Sequence, residues 1–212
     1  MDYKGKNVPE VVIKRLPRYF RYLGDLLSQD ITRISSGKLS ERMNVTASQI
    51  RQDFNYFGGF GQQGYGYNVE YLYNEIAEIL GLKEGYKAII IGAGHLGMAL
   101  ANHQSFEKRG FKILALFDND QNKIGLSANN KPVLNINDLE KFIKDNKITI
   151  AILATPKDTV GEIAQKLATY GIKGLWNFSS AEIITSTPVA VENVHMSDYL
   201  MTLSYKIKQR TY

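Results

Sequence analysis

The segment IIIGAGHLGMAL, residues 89–100, constrains the fold of this chain more than any other. Its consecutive isoleucines are typical of a buried strand, and the apolar residues after the glycines are typical of a helix. Between them, Gly92, Gly94 and Gly97 follow the spacing G-x-G-x-x-G. The first glycine of such a turn allows a tight bend, the second lets the backbone approach a pyrophosphate, and the third lets helix and strand pack closely. The segment therefore predicts a dinucleotide site at the start of a helix, where free N–H groups attract phosphates.

The expected contacts of this site extend beyond the loop. Asp118 ends the next predicted strand, about 20 residues past the last glycine. A carboxylate there is expected to accept both ribose hydroxyls and to repel a 2′-phosphate, which favours NAD(H) over NADP(H). Thr155 and Pro156 follow a further strand and either face the nicotinamide half or form a structural turn. The predicted cofactor-binding residues of the loop itself are Gly92, Ala93, Gly94, His95, Leu96 and Gly97.

Alternating apolar strands and helices occupy residues 82–194, which predicts a Rossmann-like domain with a parallel sheet covered on both faces. The overall class is α/β. Strands are expected near 87–92, 112–117, 148–154, 172–178 and 189–194, and helices near 95–109, 137–146 and 157–170.

Residues 1–81 have a different pattern, that of a winged helix-turn-helix domain. A helix near 10–29 is interrupted by Pro17, and a second lies near 35–44. The third begins at Thr46, which with Gln49 predicts a capping box. Its apolar residues recur at helical spacing and point inward, as the core face requires. Its outward residues are Ser48, Arg51, Gln52, Asn55 and Tyr56.

The glycine-rich segment GGFGQQGYGY, residues 58–67, follows this third helix. Its glycines permit tight turns, and Phe60, Tyr65 and Tyr67 suit short strands, so a small hairpin, or wing, is expected beside the third helix. An amphipathic helix over 69–80 ends at Gly81, and residues 81–86 are the expected linker.

Charge is concentrated at the N-terminus. Of the net charge of +5, all is carried by residues 1–51, which contain ten Lys or Arg against five Asp or Glu. Such an end suits a polyanionic partner, and a solvated basic face is an equally good explanation on charge alone.

The chain has no cysteine and only three scattered histidines, so we expect no metal site and no disulfide. No apolar run approaches the roughly 18 residues of a membrane span, and no secretory signal is recognisable. A cytoplasmic protein is expected.

The dinucleotide could be a reagent or a signal. An NAD-dependent oxidoreductase with a helical oligomerisation domain would need a proton donor or acceptor and usually a substrate domain. Only about 30 residues follow the strand expected near 172–178, and His103 is better explained as a structural histidine. A regulator that senses another adenine ligand is a third possibility. The residues favour a sensor that binds DNA.

The chain resembles Rex, a family of bacterial redox-sensing transcriptional repressors. The resemblance rests on RLPRYFRYL at 15–23, ISSGKLSERMNVTASQIRQDFNYFGGFGQQGYGYNV at 34–69, the glycine loop, and GIKGLWNFS at 171–179. It implies a homodimer that binds an inverted-repeat operator in double-stranded DNA when NAD+ is abundant, and that NADH releases. It also implies that the C-terminal helix, residues 195–212, is exchanged between protomers, which would cover its apolar residues.

The resemblance also assigns residues. Those assigned to DNA are Ser48, Gln49, Arg51, Gln52 and Tyr56 of the recognition helix, Arg15, Arg18 and Arg21 before it, and Gln62, Gln63 and Tyr65 of the wing. Arg51 is the best candidate for a guanine or phosphate contact. The three arginines of residues 15–21 are expected to hold phosphates or an interdomain interface.

Several positions depart from the family pattern. The wing usually carries Lys or Arg in place of Gln62 and Gln63, which should lower affinity for DNA and flatten its salt dependence. His95 stands where the glycine loop often has Asn. His195 stands where an Asp commonly pairs with the counterpart of Arg15, a role that Asp198 could take over. Met196 occupies the place of an aromatic residue near the nicotinamide.

Overall fold

The computed structural model describes residues 8–61, 65–184 and 188–210. The chain divides into two compact units, Met1–Lys83 and Glu84–Tyr212. The division falls inside the linker expected at 81–86, two residues beyond the predicted boundary. Each unit is described by itself.

The first unit is helical with a two-stranded sheet. Its elements are α1 (Glu10–Ile13), α2 (Leu16–Leu27), β1 (Arg33–Ile34), α3 (Ser36–Met43), α4 (Ala47–Asn55), β2 (Tyr67–Asn68) and α5 (Val69–Ile79). The expected interruption near Pro17 is confirmed, but the break lies just before it, so proline occupies the first turn of α2. Proline is tolerated there because the N–H groups of a first turn have no helical partner.

Local capping fixes the helix-turn-helix. Ser35 accepts a hydrogen bond from the Lys38 N–H at the start of α3, and Asn44 ends that helix in the left-handed region. Thr46 caps α4 by accepting from the Gln49 N–H at 3.1 Å. The second half of the predicted capping box is not observed among the described residues: the Gln49 amide nitrogen donates to Asp53, and its oxygen does not accept from the Thr46 N–H.

The wing differs from the hairpin that the sequence suggested. Tyr67 and Asn68 pair in antiparallel fashion with Ile34 and Arg33, which precede α3, and not with residues near Phe60. Phe60 is buried against the ring of Phe54 instead of forming a strand. Gln62 and Gln63 lie outside the described residues.

Aromatic side chains dominate the core of the first unit. Phe54 of α4 lies 4.9 Å from Tyr19 and 5.2 Å from Tyr67 between ring centroids. Phe20 of α2 stacks on Tyr73 of α5 at 4.3 Å. These contacts join α2, α4, α5 and the wing strand into one body, so the recognition helix is held on a packed support.

The second unit is a doubly wound α/β domain. Its elements are β3 (Tyr86–Ile91), α6 (His95–Ala101), β4 (Phe111–Asp118), β5 (Ser127–Ala128), β6 (Lys131–Asn135), α7 (Leu139–Asn146), β7 (Ile150–Leu153), α8 (Lys157–Thr169), β8 (Gly174–Asn177), β9 (Ala190–Asn193) and α9 (Met196–Arg210). The sheet order is β5-β6-β4-β3-β7-β8-β9, in which only the β5–β6 pair is antiparallel. Without β5, this is the order of a dinucleotide-binding sheet. The predicted Rossmann-like fold is confirmed.

Two parts of this unit were not predicted. The hairpin β5–β6 turns through Asn129 and Asn130, both at positive φ (48° and 61°), a conformation that asparagine tolerates. The helix expected over 95–109 ends at Ala101, and only a short 3₁₀ turn follows at Glu107–Arg109. Three of the residues between them, Asn102, His103 and Ser105, are poor helix formers.

The strands of the sheet alternate between two buried faces. Ile89 and Ile91 of β3 join the cluster that α7 and α8 cover, whereas Ala88 and Ile90 join the cluster that α6 covers. Helix α9 differs from α6, α7 and α8, because none of its residues is buried. Its exposed apolar side chains include Tyr199, Leu200, Met201 and Leu203.

Gly66 offers a test of the wing geometry. A Cβ there would lie 2.7 Å from the carbonyl oxygen of Ile34, with φ at +71°. A Cβ at Gly59, with φ at +70°, would lie 3.6 Å from its nearest neighbour, the side-chain oxygen of Asn55. Both alanine variants should lose about 1–2 kcal/mol to the left-handed backbone. Gly66→Ala should lose about 1–3 kcal/mol more, because backbone atoms must move. Urea denaturation measures both losses, and equal values would contradict the β1–β2 arrangement.

Candidate functional site

The glycine loop lies where the sheet changes direction. β3 is flanked by β4 on one side and β7 on the other, and the loop follows its carboxyl end. The Gly92 N–H donates to the Phe117 carbonyl at 2.8 Å, and the Ala154 N–H donates to the Ile91 carbonyl at 2.8 Å. The ends of three parallel strands therefore meet here, in the crevice where α/β sheets bind ligands.

The three glycines serve different purposes. At Gly92, with φ at +99°, a Cβ would lie 2.6 Å from the Ala154 carbonyl oxygen. At Gly97 it would lie 1.9 Å from the Gly92 carbonyl oxygen, so the first turn of α6 packs directly on the loop. At Gly94, a Cβ would meet no atom of the described residues within 4 Å apart from its own chain neighbours. Gly92 and Gly97 are thus required by the protein's own packing, while Gly94 leaves space that a pyrophosphate can approach.

Asp118 is held in place by donors from two sides. Its carboxylate accepts hydrogen bonds from the Ala93 N–H at 2.7 Å and the Asp120 N–H at 2.9 Å, and the Lys123 ammonium lies 3.1 Å away. Only 8% of the residue is exposed. Burial alone raises the pKa of Asp118, but these hydrogen bonds outweigh it and hold the pKa below its ordinary value. The carboxylate is therefore ionised at neutral pH.

Lys123 was missed in the sequence. It lies in the turn after β4, where Asp120 accepts from the Asn122 N–H and folds the chain back toward Asp118. A carboxylate has about four acceptor positions, and three are already used by the donors described above. One acceptor position therefore remains, so we expect Asp118 to accept one ribose hydroxyl and not both. The D-x-D-x-x-K spacing was the available sequence signal.

Thr155, which follows β7, places a polar side chain beside the glycine loop. Its side-chain hydroxyl is buried and has no hydrogen-bond partner within the part of the chain that the structure describes. Its methyl carbon would lie 3.3 Å from a Cβ at Gly92, which places Thr155 beside the glycine turn. Pro156 is exposed and caps α8. A buried hydroxyl without a partner costs free energy unless a ligand or water satisfies it, so these residues fit a bound dinucleotide.

The remaining predicted residues around the loop are more exposed. His95 opens α6 on its exposed side, and Leu96 is half-buried. His103 lies beyond α6, bonds to the Ser105 hydroxyl at 2.8 Å and stacks on Phe106, which agrees with a structural histidine. Met196 begins α9 and is 55% exposed. The contact of Met196 with nicotinamide stays a prediction.

The outward face of α4 forms a second candidate site. Ser48, Arg51 and Gln52 are exposed, as expected. They line a groove of about 810 Å³ together with the wing, including Gly66 and Tyr67. Arg51 donates to the Ser36 hydroxyl at 3.0 Å, so its guanidinium bridges the start of α3 and the recognition helix. An exposed cation and adjacent polar side chains beside a wing suit the major groove of DNA.

A buried carboxylate on the inner face of α4 was not predicted. Asp53 is fully buried and accepts from Arg15 at 2.6 and 2.7 Å, from the Tyr19 hydroxyl at 2.7 Å and from Gln49 at 2.9 Å. Burial alone raises the pKa of Asp53, but these donors outweigh it and hold the pKa below its ordinary value of 3.8. The name Asp53 cluster is used below for Arg15, Tyr19, Gln49 and Asp53.

This cluster changes the view of two predicted DNA-binding residues. The guanidinium of Arg15 binds the Asp53 carboxylate, so its N–H groups hold α2 against α4 instead of facing solvent. Gln49 is only half-exposed, and its amide nitrogen is engaged by Asp53. Direct DNA contacts by either residue stay predictions.

The other predicted DNA-binding residues vary in exposure. Tyr56 was expected to point outward, but it is half-buried and packs against the core of the first unit. Arg18 is half-buried, and Arg21 is exposed beside the ring of Tyr22. Tyr65 of the wing is 70% exposed, and the guanidinium of Arg33, which the sequence reading did not single out, lies 5.9 Å from its ring centroid.

Comparison with known proteins assigns both units. Residues 7–55 match a family model described as "Putative DNA-binding protein N-terminus", and residues 83–181 match a CoA binding domain. The chain is 51% identical over 208 residues to a redox-sensing transcriptional repressor Rex from Caldicellulosiruptor saccharolyticus, covering 98% of this chain and 95% of that protein. The chain belongs to the Rex family. A Rex repressor of Clostridioides difficile is 53% identical and covers 97% of this chain and 98% of its own length.

Solved structures of Rex proteins agree with this fold. A crystal structure of RSP in complex with beta-NAD+ and operator DNA matches with a TM-score of 0.91 and 52% identity, covering 97% of this chain and 95% of that one. A structure of RSP in complex with beta-NADH matches with a TM-score of 0.90 and 49% identity, and covers 97% of each chain. Within residues 8–61, 65–184 and 188–210, no helix has the length and apolar character needed to cross a membrane. Those same residues contain no group of three or more side chains arranged to hold a metal ion.

Alanine at Gly94 should weaken binding of NADH, whereas alanine at Gly97 should lower the stability of the fold. Gly94→Ala adds a methyl group in open space, so the free energy of unfolding should change by less than about 1 kcal/mol. Its affinity for NADH should fall at least about tenfold, because the methyl group takes the space beside the pyrophosphate. Gly97→Ala should lose about 1–3 kcal/mol or more of stability without any ligand. Urea denaturation and a fluorescence titration with NADH separate the two, and a Gly94→Ala variant with full affinity would argue against the loop as the site.

The Asp53 cluster should contribute stability that depends on pH. Because the folded-state pKa of Asp53 lies below its unfolded value, its contribution is fully present above about pH 4 and is lost as the pH falls further. Asp53→Asn should therefore be less stable than the wild type by a nearly constant amount from pH 7 to pH 5. The difference should shrink below pH 4. Urea denaturation followed by circular dichroism measures it; Asp25→Asn, an exposed carboxylate of α2, is the control and should stay within about 0.5 kcal/mol of the wild type at pH 7.

Proposed function

We propose that this chain is a redox-sensing transcriptional repressor, which binds operator DNA with NAD+ and leaves it when NADH takes the place of NAD+. The first unit reads DNA and the second binds the dinucleotide. The protein acts as a cytoplasmic homodimer on an inverted repeat. It is a regulator and not an enzyme, in keeping with the names of its relatives.

The union of the two units in one chain carries this proposal. A winged helix-turn-helix with an exposed polar face on α4 has no use in a small-molecule oxidoreductase. The dinucleotide crevice has no use in a simple DNA-binding protein. Rex relatives share both units along nearly their whole length, and one RSP structure holds both operator DNA and NAD+. The oxidoreductase alternative has no such support.

The exposed face of α9 supports the homodimer. Its apolar side chains, between 51% and 75% exposed at Tyr199, Leu200, Met201 and Leu203, form a surface that a stable monomer rarely presents to water. Under the proposal, α9 is exchanged with a second copy, which covers this surface. The dimer then places two recognition helices for two half-sites, about 34–36 Å apart when both enter successive major grooves.

Under this proposal, different residues bind the dinucleotide and the DNA. The turn at Gly94, the Asp118 carboxylate and the Thr155 hydroxyl hold the dinucleotide, whose nicotinamide supplies the redox signal as a planar cation or a neutral puckered ring. Ser48, Arg51 and Gln52 face DNA. NADH shifts the dimer between two arrangements only as far as it prefers one of them. A shift from 1% to 99% would need about 5.5 kcal/mol of difference in binding.

The deciding experiment is release from DNA. The purified protein is titrated onto a fluorescent operator at fixed salt, with NAD+ in every sample and increasing NADH. We expect micromolar NADH to release the DNA and added NAD+ to oppose release. ADP and coenzyme A, added in place of NADH, should not release it. These two separate a redox sensor from a regulator that responds to any adenine ligand.

Other outcomes identify what is wrong. Specific binding that ignores NADH would remove the redox-sensing part of the proposal. Release by ADP or coenzyme A would favour a sensor of adenine ligands. No specific DNA binding would contradict the repressor and call for an assay of NADH consumption.

A further inference from the structure

Asp53 and Gln49 form a contact whose chemistry has a consequence for sequence recognition. Asp53 is fully buried on the inner face of the recognition helix, and Gln49 lies one turn before it. The Gln49 amide nitrogen lies 2.9 Å from one carboxylate oxygen of Asp53. The Asp53 carboxylate also accepts hydrogen bonds from Arg15, which directly precedes α2, and from Tyr19 within α2.

We infer that Asp53 is a positioning residue for operator recognition: it fixes the Gln49 amide with its nitrogen inward, so that the carbonyl oxygen Oε1 is the outward acceptor. The inference rests on the proposed function, since it concerns how the operator is read. It assigns Gln49 a preference for one chemical class of base, those that offer a hydrogen-bond donor in the major groove.

The orientation follows from the inventory of donors and acceptors. An ionised carboxylate can only accept hydrogen bonds, so the atom of Gln49 that faces Asp53 must be its NH₂ nitrogen. A rotation of the amide by 180° would bring two oxygens together with no proton between them. The Arg15 guanidinium keeps the carboxylate charged by a two-bond contact, with Nε at 2.6 Å and Nη2 at 2.7 Å. The orientation of Gln49 is therefore set by chemistry and not by packing alone.

The position of Gln49 gives its oxygen access to DNA. It is the third residue of α4, and residues near the N-terminus of a recognition helix contact base edges. It is half-exposed, between the exposed Ser48 and the exposed Gln52 one turn on. Within the described part of the chain, Oε1 has no hydrogen-bond partner, so it can accept from a base.

An outward acceptor distinguishes the four bases. In the major groove adenine offers N6–H and cytosine offers N4–H, whereas O6 of guanine and O4 of thymine are acceptors themselves. Gln49 should therefore favour adenine or cytosine at one position of each half-site and disfavour guanine and thymine. A neutral hydrogen bond contributes about 0.5–1.5 kcal/mol, which is about a two- to tenfold preference per half-site.

The test is a profile of base preference with the full-length protein and NAD+. The wild type first selects its operator from a random-sequence pool, and each position is then changed to all four bases symmetrically in both half-sites. Gln49→Ala should lose the adenine or cytosine preference at one position and keep the others. Asp53→Asn should relax the same position toward guanine and thymine, because an asparagine amide can donate or accept and so permits both orientations of Gln49. Gln52→Ala should change a different position.

Exchanging the carboxylate and the amide between positions 49 and 53 tests whether the base preference can be rescued. Gln49→Glu alone would set two carboxylates side by side and should weaken binding to all sequences. Combined with Asp53→Asn, it restores a donor facing an acceptor between positions 49 and 53 and still presents an acceptor outward, while the Arg15 Nη2 donor loses its acceptor on residue 53. The double variant should recover the adenine or cytosine preference, which a purely structural defect would not do.

The outcomes separate this inference from the proposed function. If the wild type selects no operator, the repressor proposal fails. If it selects one, but Gln49→Ala weakens all sequences equally or the affected position prefers guanine or thymine, the inference is overturned and the repressor stands. Circular dichroism checks folding, and if the variants that carry Asp53→Asn do not fold, the wild-type profile and Gln49→Ala still decide the question.

Discussion

An ionised carboxylate that is taken out of water must be surrounded by donors, and both units of this protein are arranged around that requirement. In the first unit Asp53 has four hydrogen bonds from Arg15, Tyr19 and Gln49. In the second, Asp118 has the Ala93 and Asp120 N–H groups and the Lys123 ammonium. Each carboxylate fixes a functional element: the recognition helix in one case, the glycine loop in the other. Loss of either acid would leave its donors unsatisfied as well as removing a charge.

Close backbone packing determines the rest of the dinucleotide crevice. The carbonyl oxygens of Gly92 and Ala154 stand where side chains at Gly97 and Gly92 would otherwise be. Because these glycines bring α6, β3 and β7 together, the open side of Gly94 and the Thr155 hydroxyl, which has no partner among the described residues, come to the same crevice. The loop proposed to bind phosphate therefore also holds the sheet and its first helix in contact.

The sequence was a good guide wherever a pattern is local. The cap at Thr46, the glycine spacing and the alternation of apolar strands and helices predicted α4, the glycine loop and the parallel sheet, and each is observed. The unpredicted features depend on partners distant in the chain. Asp53 looked like an ordinary polar residue, because nothing local shows that Arg15, 38 residues earlier, completes its hydrogen bonds. The β1–β2 pair joins residues more than 30 positions apart, so the wing could be anticipated but not its register.

The Asp53 cluster also limits how a redox signal can reach DNA. Removing one partner from a buried ion pair costs about 3–5 kcal/mol, which is comparable to the 5.5 kcal/mol that a nearly complete switch would need. A mechanism that tilted α4 on its own support would therefore use most of the available free energy to break Arg15 from Asp53. Movement of whole units leaves the cluster intact and changes only the spacing of two recognition helices in the proposed dimer. The rigid attachment of α4 thus favours a switch in which each DNA-reading unit moves as one body.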